Sequence, residues 1–194
     1  MTGAPPIFYF DTNSPYAYLA AQRVGKLIPD AVWRPVALPM IFRAIGKVPW
    51  SLSDERDAGV AECERRAAER GLPPMRWVDG WPAESWSFDP IRAAVVAEEH
   101  GKVVPFALEC YRLMFAEGRS LEEIENVRAA AAAVGLDPDE VEARIGEDAV
   151  KERLRAYTDE AVGLGAVGVP TVAAGGELFW GDDRLEEAAA AASA

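Results

Sequence analysis

The stretch at residues 7–21, IFYFDTNSPYAYLAA, predicts a buried strand, a tight turn and a helix in direct succession. Residues 7–10 are apolar and rich in aromatics, as buried strands commonly are. Residues 11–13 favour a turn, and Ser14 followed by Pro15 is typical of a helix start. The unpaired N–H groups and partial positive charge of such a start suit an anion such as a thiolate. Taken alone, the stretch favours the simpler interpretation that Ser14 is only a helix cap.

A second strand candidate, AVWRPVAL at residues 31–38, follows the helix that begins near Ser14. Pro35 within it indicates an edge strand or a bulge, because proline cannot donate to a sheet ladder. Strand, helix and strand over so short a distance form a βαβ unit. The two strands are therefore expected to run parallel.

The middle of the chain, from residue 39 to about 164, contains helix signals and no convincing strand. The apolar spacing predicts helices at 53–70, 91–100, 105–116, 121–134 and 148–164, with a shorter one starting at 137–138. Ser120 and Glu123 match a capping box for the helix at 121–134. The sequence therefore predicts a large helical block after the first βαβ unit.

Strand signals return near the end of the chain, at residues 169–173 and 177–180. Residues 174–176, Ala-Gly-Gly, connect the two strands and predict a hairpin. Asp182 is then expected to cap a last helix at 184–192. The expected order is β-α-β, a helical block, and α-β-β-α.

The composition limits the classes of partner and site. A net charge of −12, from 20 basic and 32 acidic residues, argues against nucleic acid or an anionic membrane as the main partner. The N-terminus shows no signal pattern and no apolar run is long enough to cross a membrane, so we expect a cytoplasmic protein. Cys63 and Cys110 are expected to be buried free thiols rather than a disulfide. With His100 as the single histidine, no multi-histidine metal site is expected.

Two further segments could contribute to a site at Ser14. Pro170, in Gly-Val-Pro-Thr, enters a strand, and a cis peptide bond after Val169 would leave the polar backbone groups of Val169 free to pair with an extended ligand. Alone, this proline is equally well explained by an edge strand. Gly181, in Phe-Trp-Gly-Asp-Asp-Arg, allows a close backbone approach before a second helix start. Alone, that segment is better explained as an acidic cap with a solvated Arg184.

Together, these segments resemble a known pattern. The element order, with Val-Pro-Thr before the third strand, resembles the thioredoxin fold of the Dsb-type disulfide oxidoreductases. FxFDxxSPYxYLA, GVPT and FWGxDRLE are similar to the 2-hydroxychromene-2-carboxylate isomerase family and its relatives, the kappa-class glutathione transferases. The resemblance covers nearly the whole chain. It implies an α/β, thioredoxin-like domain formed by residues 1–40 and 150–194, with an all-helical domain, residues 41–149, inserted after the first βαβ unit.

The resemblance also implies a glutathione site. The sulfur would lie beside Ser14, and Val169, before cis-Pro170, would pair with the cysteinyl backbone. The γ-glutamyl end would lie at a turn of four residues: Gly181, Asp182, Asp183 and Arg184. The expected activity is a glutathione-dependent cis–trans isomerisation of an aromatic α-keto acid such as 2-hydroxychromene-2-carboxylate. The thiolate adds to the conjugated system, the former double bond rotates, and elimination releases the other isomer.

The chain departs from the family pattern on the substrate side. Gly-Lys-Val-Pro at 46–49 replaces a Gly-Asn pattern, Trp-Ser-Phe at 86–88 replaces Asn-Ser/Thr-Leu, and Ala58 and Glu62 occupy positions where Tyr and Asp are usual. The sequence therefore identifies the substrate less specifically than it identifies the thiol site. Three residues are candidates for substrate binding: Lys47, Tyr16 and Trp86. Lys47 either anchors a substrate carboxylate or is simply solvated.

Several alternatives stay open. A kappa-like glutathione transferase acting on other electrophiles, a different low-molecular-weight thiol, and a non-catalytic thioredoxin-like binding module are each compatible with these residues. A homodimer is also compatible with them. A thiol–disulfide oxidoreductase is nearly excluded, because Ser14 stands where such enzymes carry the first cysteine of Cys-x-x-Cys.

Overall fold

One mixed sheet joins the two ends of the chain in this computed structural model, which describes residues 4–82 and 87–193. Its strands are β1 (Ile7–Phe10), β2 (Val32–Pro35), β3 (Thr171–Ala174) and β4 (Glu177–Trp180). The strand order is β2-β1-β3-β4, with β1 parallel to β2 and antiparallel to β3, and β3 antiparallel to β4. The predicted parallel βαβ unit, the edge position of the second strand and the terminal hairpin are confirmed.

The other regular elements are helical. In chain order, the described helices are α1 (Pro15–Leu27), α2 (Leu38–Ile45), α3 (Arg56–Glu69), α4 (Asp89–Glu99), α5 (Val103–Tyr111), α6 (Ile124–Ala133), α7 (Pro138–Arg144), α8 (Asp148–Leu164) and α9 (Leu185–Ala192). Short 3₁₀ turns lie at Trp50–Leu52 and Asp182–Arg184, and a π-helical turn, Arg112–Ala116, continues α5. All described strands lie in residues 4–40 and 150–193, while the part between them is helix and loop.

The segment after β2 differs from the expectation. The second strand was predicted to reach residue 38, but it ends at Pro35, and α2 begins at Leu38. Pro39 is favourable in the first turn of a helix, and Gly46, with φ 65°, ends α2 in the left-handed conformation. Helix α2 was therefore missed because its apolar start fits a strand equally well.

Two predicted helix caps are not formed. The capping box at Ser120 is not formed: its hydroxyl accepts a hydrogen bond from the Glu122 N–H, and α6 starts only at Ile124. Asp182 does not cap the last helix, because it lies in a separate 3₁₀ turn, Asp182–Arg184, and α9 starts at Leu185.

The hydrophobic core is continuous between the sheet and the helices. Phe8 and Phe10 of β1 are fully buried and contact the Trp33 ring at centroid distances of 4.8 and 5.6 Å. Within α1, the Tyr18 ring lies 6.1 Å from Tyr111 and 5.6 Å from Phe115 in the inserted helices. Since each buried aromatic contributes roughly 1.5–3 kcal/mol, the Phe8 and Phe10 contacts hold β1 to β2, and the Tyr18 contacts hold α1 against the inserted helices.

Cys63 and Cys110 are both buried and free, as expected. Within residues 4–82 and 87–193, no helix combines the length and the apolar character that crossing a membrane requires. The same part of the chain brings no three His, Cys, Asp or Glu side chains together in an arrangement suited to a metal ion.

Candidate functional site

Ser14 lies between β1 and α1 and is almost fully buried. Its Oγ accepts a hydrogen bond from the Ala17 N–H at 3.2 Å, which confirms the predicted N-cap. The same hydroxyl lies 3.5 Å from the Val169 carbonyl oxygen, to which it donates. The first helix start and the Val-Pro-Thr segment therefore meet at this hydroxyl.

The turn before Ser14 is held by the buried carboxylate of Asp11. One oxygen accepts from the Asn13 backbone N–H at 2.9 Å and from Asn13 Nδ2 at 3.1 Å, and the other accepts from the Leu38 N–H at 2.9 Å. Burial raises the pKa of Asp11, although the three hydrogen bonds oppose that shift. Asp11 thus ties the end of β1 to the start of α2, a role that the sequence alone did not reveal.

The Val169–Pro170 peptide bond is cis, as predicted. The loop around it is fixed on both sides: the Thr171 hydroxyl donates to the Gly168 carbonyl at 2.7 Å, and the Gly181 N–H donates to the Pro170 carbonyl at 2.9 Å. These bonds hold the Val-Pro-Thr segment against the turn that follows β4.

That turn contains one buried and one exposed carboxylate. Gly181 has φ 115°, and a Cβ there would overlap the side chain of Asp183, so the position requires glycine. Asp182 is 1% exposed and forms ion pairs with Arg66, at 2.6 Å, and with Arg70. Asp183 is 60% exposed and lies 3.6 Å from Arg66. Of the two, Asp183 is the carboxylate open to a ligand, while Asp182 secures the turn from inside.

Arg184, the last residue of the turn, forms an ion pair with Glu187 at 2.6 Å. Its guanidinium also lies 5.0 Å from the centre of the Phe179 ring. Arg184 is therefore held beside the turn rather than freely solvated.

A cleft of about 1160 Å³ lies between these segments and the inserted helices. Every predicted site residue that the structure describes lines it: Ser14, Tyr16, Lys47, Val169, Pro170, Gly181, Asp182, Asp183 and Arg184. Trp86 lies outside the described residues. Ala58 and Glu62, the departures from the family pattern, also line the cleft.

Tyr16 forms a wall of the cleft close to Ser14. Its hydroxyl contacts the thiol of Cys63, and the Arg66 guanidinium lies 5.6 Å from its ring centre. Burial is the largest cause that raises the pKa of the Tyr16 phenol, and the contact with Cys63 raises it further. The phenol therefore stays neutral and can donate a hydrogen bond. Cys63 lies directly behind Tyr16, and burial raises the pKa of its thiol to about 12.

Lys47 does not simply point into solvent. Its Nζ lies 4.8 Å from the centre of the Trp180 ring, a cation–π contact between the inserted segment and β4. Trp180 lies against Gly168, where an added Cβ would come within 2.9 Å of the indole Nε1. The Lys47 ammonium is therefore held at the edge of the cleft.

A continuous aromatic cluster, which the sequence did not predict, reaches the cleft through Trp50 and Trp81. The Trp50 ring lies 5.7 Å from both Tyr16 and Trp81, and Trp81 lies 4.6 Å from Trp77. The Trp81–Pro82 bond is also cis, and Arg56 donates two hydrogen bonds, of 3.0 and 2.9 Å, to the Trp81 carbonyl. The density of tryptophan in this part of the chain was the one available signal.

The chain is similar to several known proteins along most of its length. The chain is 27% identical to a 2-hydroxychromene-2-carboxylate isomerase of Sphingobium xenophagum, over 92% of this chain and 93% of that protein. It is 28% identical to a Pseudomonas putida protein of the same name, over 92% and 89%. Among solved structures, a 2-hydroxychromene-2-carboxylate isomerase superposes with a TM-score of 0.81 at 26% identity, covering 93% of this chain and 90% of that one.

A more distant structure, a probable DsbA oxidoreductase from Streptomyces coelicolor, superposes with a TM-score of 0.71 at 24% identity over 97% of this chain and 89% of the other. The names of the closer relatives support isomerase activity. The model of the DSBA-like thioredoxin domain matches residues 7–192, which confirms the predicted α/β fold. The chain therefore belongs to the family of DSBA-like thioredoxin domains.

Proposed function

We propose that this protein is a glutathione-dependent isomerase of an aromatic α-keto acid, of the 2-hydroxychromene-2-carboxylate type named for its relatives. The observation that carries the proposal is the Ser14 hydroxyl, which lies at the start of α1, faces the Val169 carbonyl and lines the large cleft. A serine there can stabilise a bound thiolate but cannot form a disulfide with it.

The thiol is activated by its surroundings. Ser14 already accepts from the Ala17 N–H, so its own proton is available to a bound sulfur in place of the long, 3.5 Å bond to Val169. The partial positive charge at the start of α1 acts in the same direction. Both effects favour the thiolate over the thiol and lower the pKa of the bound thiol.

The rest of glutathione extends along the thioredoxin-like side of the cleft. The cysteinyl backbone pairs with Val169, beside Pro170, by strand-like hydrogen bonds. The γ-glutamyl group reaches the turn of Gly181, Asp182, Asp183 and Arg184. Asp183 is open enough to accept from its ammonium group, while Asp182 holds the turn through Arg66. Another low-molecular-weight thiol with the same cysteinyl backbone would satisfy most of these contacts.

The reaction needs no oxidant or reductant. The thiolate attacks the conjugated double bond, a C–S bond forms, and the electron pair moves to the keto oxygen as an enolate. The former double bond is now single and rotates. The enolate then re-forms the double bond and expels the thiolate. Lys47, held at the edge of the cleft over Trp180, binds the substrate carboxylate, and Tyr16 packs beside the reacting carbon.

Conjugation of glutathione to another electrophile is the second candidate, because Ala58 and Glu62 alter the substrate side of the cleft. The two reactions differ in their thiol balance. An isomerase regenerates glutathione, whereas a transferase consumes one glutathione for each product. Measuring free thiol against product distinguishes them.

The test of the proposal is replacement of Ser14 by alanine. In the wild type, the thiolate absorbance of bound glutathione against pH should give a pKa below the value of about 8.5 for a free thiol. Ser14→Ala should raise that pKa and slow thiol addition about 10- to 1000-fold, as the loss of an oxyanion donor does. The helix cap is also lost, at about 1 kcal/mol of stability.

A matched control is Ser120→Ala. The Ser120 hydroxyl also accepts one backbone N–H in a turn, but it lies outside the cleft. It should leave the titration and the rate unchanged. Identical titrations in the wild type and Ser14→Ala would reduce Ser14 to a helix cap and refute the proposal.

A further inference from the structure

Gly59 occupies an unusual position near the start of α3. Glycine is among the least favourable residues in a helix, so its presence needs a local reason. A Cβ at this position would overlap the six-membered ring of Trp50, with even Cδ2 only 2.9 Å away. The indole therefore lies directly against the helix backbone, and only glycine allows it to do so.

Trp50 is fixed from its other sides as well. The Tyr16 ring approaches it edge-on, at 5.7 Å and 70°, and the Trp81 ring is tilted by 49° at the same distance. Arg56 in turn holds the Trp81 carbonyl with two hydrogen bonds. In the described ranges 4–82 and 87–193, no ring lies parallel to Trp50. The indole is held rigidly, yet it remains half-buried and lines the cleft.

The place of Trp50 in the cleft relates it to the reacting centre. Tyr16, which contacts Trp50, is only two residues from Ser14. The cleft also has space for a second molecule beside a thiol: its volume is about 1160 Å³, whereas sites for a single drug-sized ligand span about 300–1,000 Å³. Arg43 and Lys47 line the same cleft and can face a carboxylate.

We propose that Trp50 is the stacking surface for the aromatic ring of the substrate, and that Gly59 sets its position. The inference rests on the proposed function for the chemical class of the substrate, a planar aromatic carboxylate. A flat conjugated ring gains from offset stacking on the indole, and a saturated ring of similar size does not. Trp50 is thus a specificity-determining residue that distinguishes flat aromatic acids from saturated ones.

The first experiment compares two probes of similar size, 2-naphthoate and its saturated analogue decahydronaphthalene-2-carboxylate, by isothermal titration calorimetry. The wild type should bind 2-naphthoate more tightly. Trp50→Leu should reduce this selectivity about 3- to 10-fold, the range expected for one aromatic pair. The measurement requires neither a thiol nor turnover.

The second experiment tests the role of Gly59. Gly59→Ala should displace the indole, reduce the selectivity as Trp50→Leu does, and lower the thermal midpoint. In a Trp50→Leu background the overlap is gone, so the same change should raise the midpoint, because alanine is the better helix former. Gly163→Ala is the matched control: an added Cβ there meets no atom within 4 Å, so the selectivity should stay the same.

Two results would overturn the proposal: no binding of 2-naphthoate to the wild type, or an unchanged selectivity in Trp50→Leu. A failure of the proposed function has a different signature. In that case the thiol titrations of the wild type and Ser14→Ala coincide, while 2-naphthoate still binds in a way that depends on Trp50.

Discussion

Replacing Asp182 by asparagine tests whether the turn after β4 depends on a buried charge. Asp182 is 1% exposed, and its partners Arg66 and Arg70 are 20% and 19% exposed. The substitution keeps the shape of the side chain but leaves two guanidinium groups without their shared anion. Glu62 and the exposed Asp183 still face Arg66, so part of its charge remains compensated.

The size of the effect follows from this partial burial. Removing one partner of a fully buried pair costs about 3–5 kcal/mol, and an exposed pair contributes about 0–1 kcal/mol. Because both arginines keep some contact with water, we expect Asp182→Asn to lower the free energy of unfolding by about 2–3 kcal/mol. For a chain of this length that corresponds to a decrease of about 5 to 10 °C in the midpoint.

The assay is equilibrium urea unfolding followed by circular dichroism, with thermal unfolding as a second measurement. Asp183→Asn is the control: that carboxylate is 60% exposed and 3.6 Å from Arg66, so its loss should cost less than about 1 kcal/mol. Both variants should keep the denaturant slope of the wild type. If the two variants lose the same stability, the Asp182 network does not stabilise the turn as argued.

Two further results are expected. Iodoacetamide at about pH 8 should label neither Cys63 nor Cys110 in the native protein, and it should label both after unfolding. Burial raises the pKa of both thiols, that of Cys63 to about 12, whereas unfolded thiols titrate near 8.5. Rapid labelling of the native protein would contradict this expectation. Burial also raises the pKa of the Asp11 carboxyl, so the folded state binds the carboxyl proton more tightly than the unfolded state does. The contribution of Asp11 to stability therefore falls as the pH rises above about 3.9, the pKa of an aspartate in an unfolded chain. The difference in unfolding free energy between the wild type and Asp11→Asn should therefore decrease across that range, and a constant difference would count against it.

The parts of the site that the sequence predicted are those with local signals. Phe10, the turn and Ser14 lie within a few residues of one another, so strand composition, turn residues and a helix cap all act over one short stretch. The same holds for Pro170 and Gly181, where the geometry of a single residue is decisive. These features are specified by backbone preferences that can be read without knowledge of the fold.

The missed parts depend on partners that are distant in the chain or chemically ambiguous. The start of α2 is decided by the Leu38 N–H bond to Asp11, 27 residues earlier, since its apolar residues fit a strand equally well. Arg66 and Asp182 are 116 residues apart and show no sequence pattern that pairs them. Trp50 begins a short 3₁₀ turn and Gly59 lies in α3, and neither position follows a sequence period that would indicate their contact.

Because β1 pairs with β3, the sheet and the cleft cannot form during synthesis until β3 has been made. Ser14 leaves the ribosome before its partner Val169, which lies 155 residues later in the chain. At translation rates of about 5–20 residues per second, about 8 to 30 s pass between the synthesis of Ser14 and that of Val169. Throughout this time the edge of β1 that will accept β3 has no strand beside it, and it can pair with other chains. A ribosome that stalls within the helical insertion therefore yields a chain with the first helix start but without the cleft.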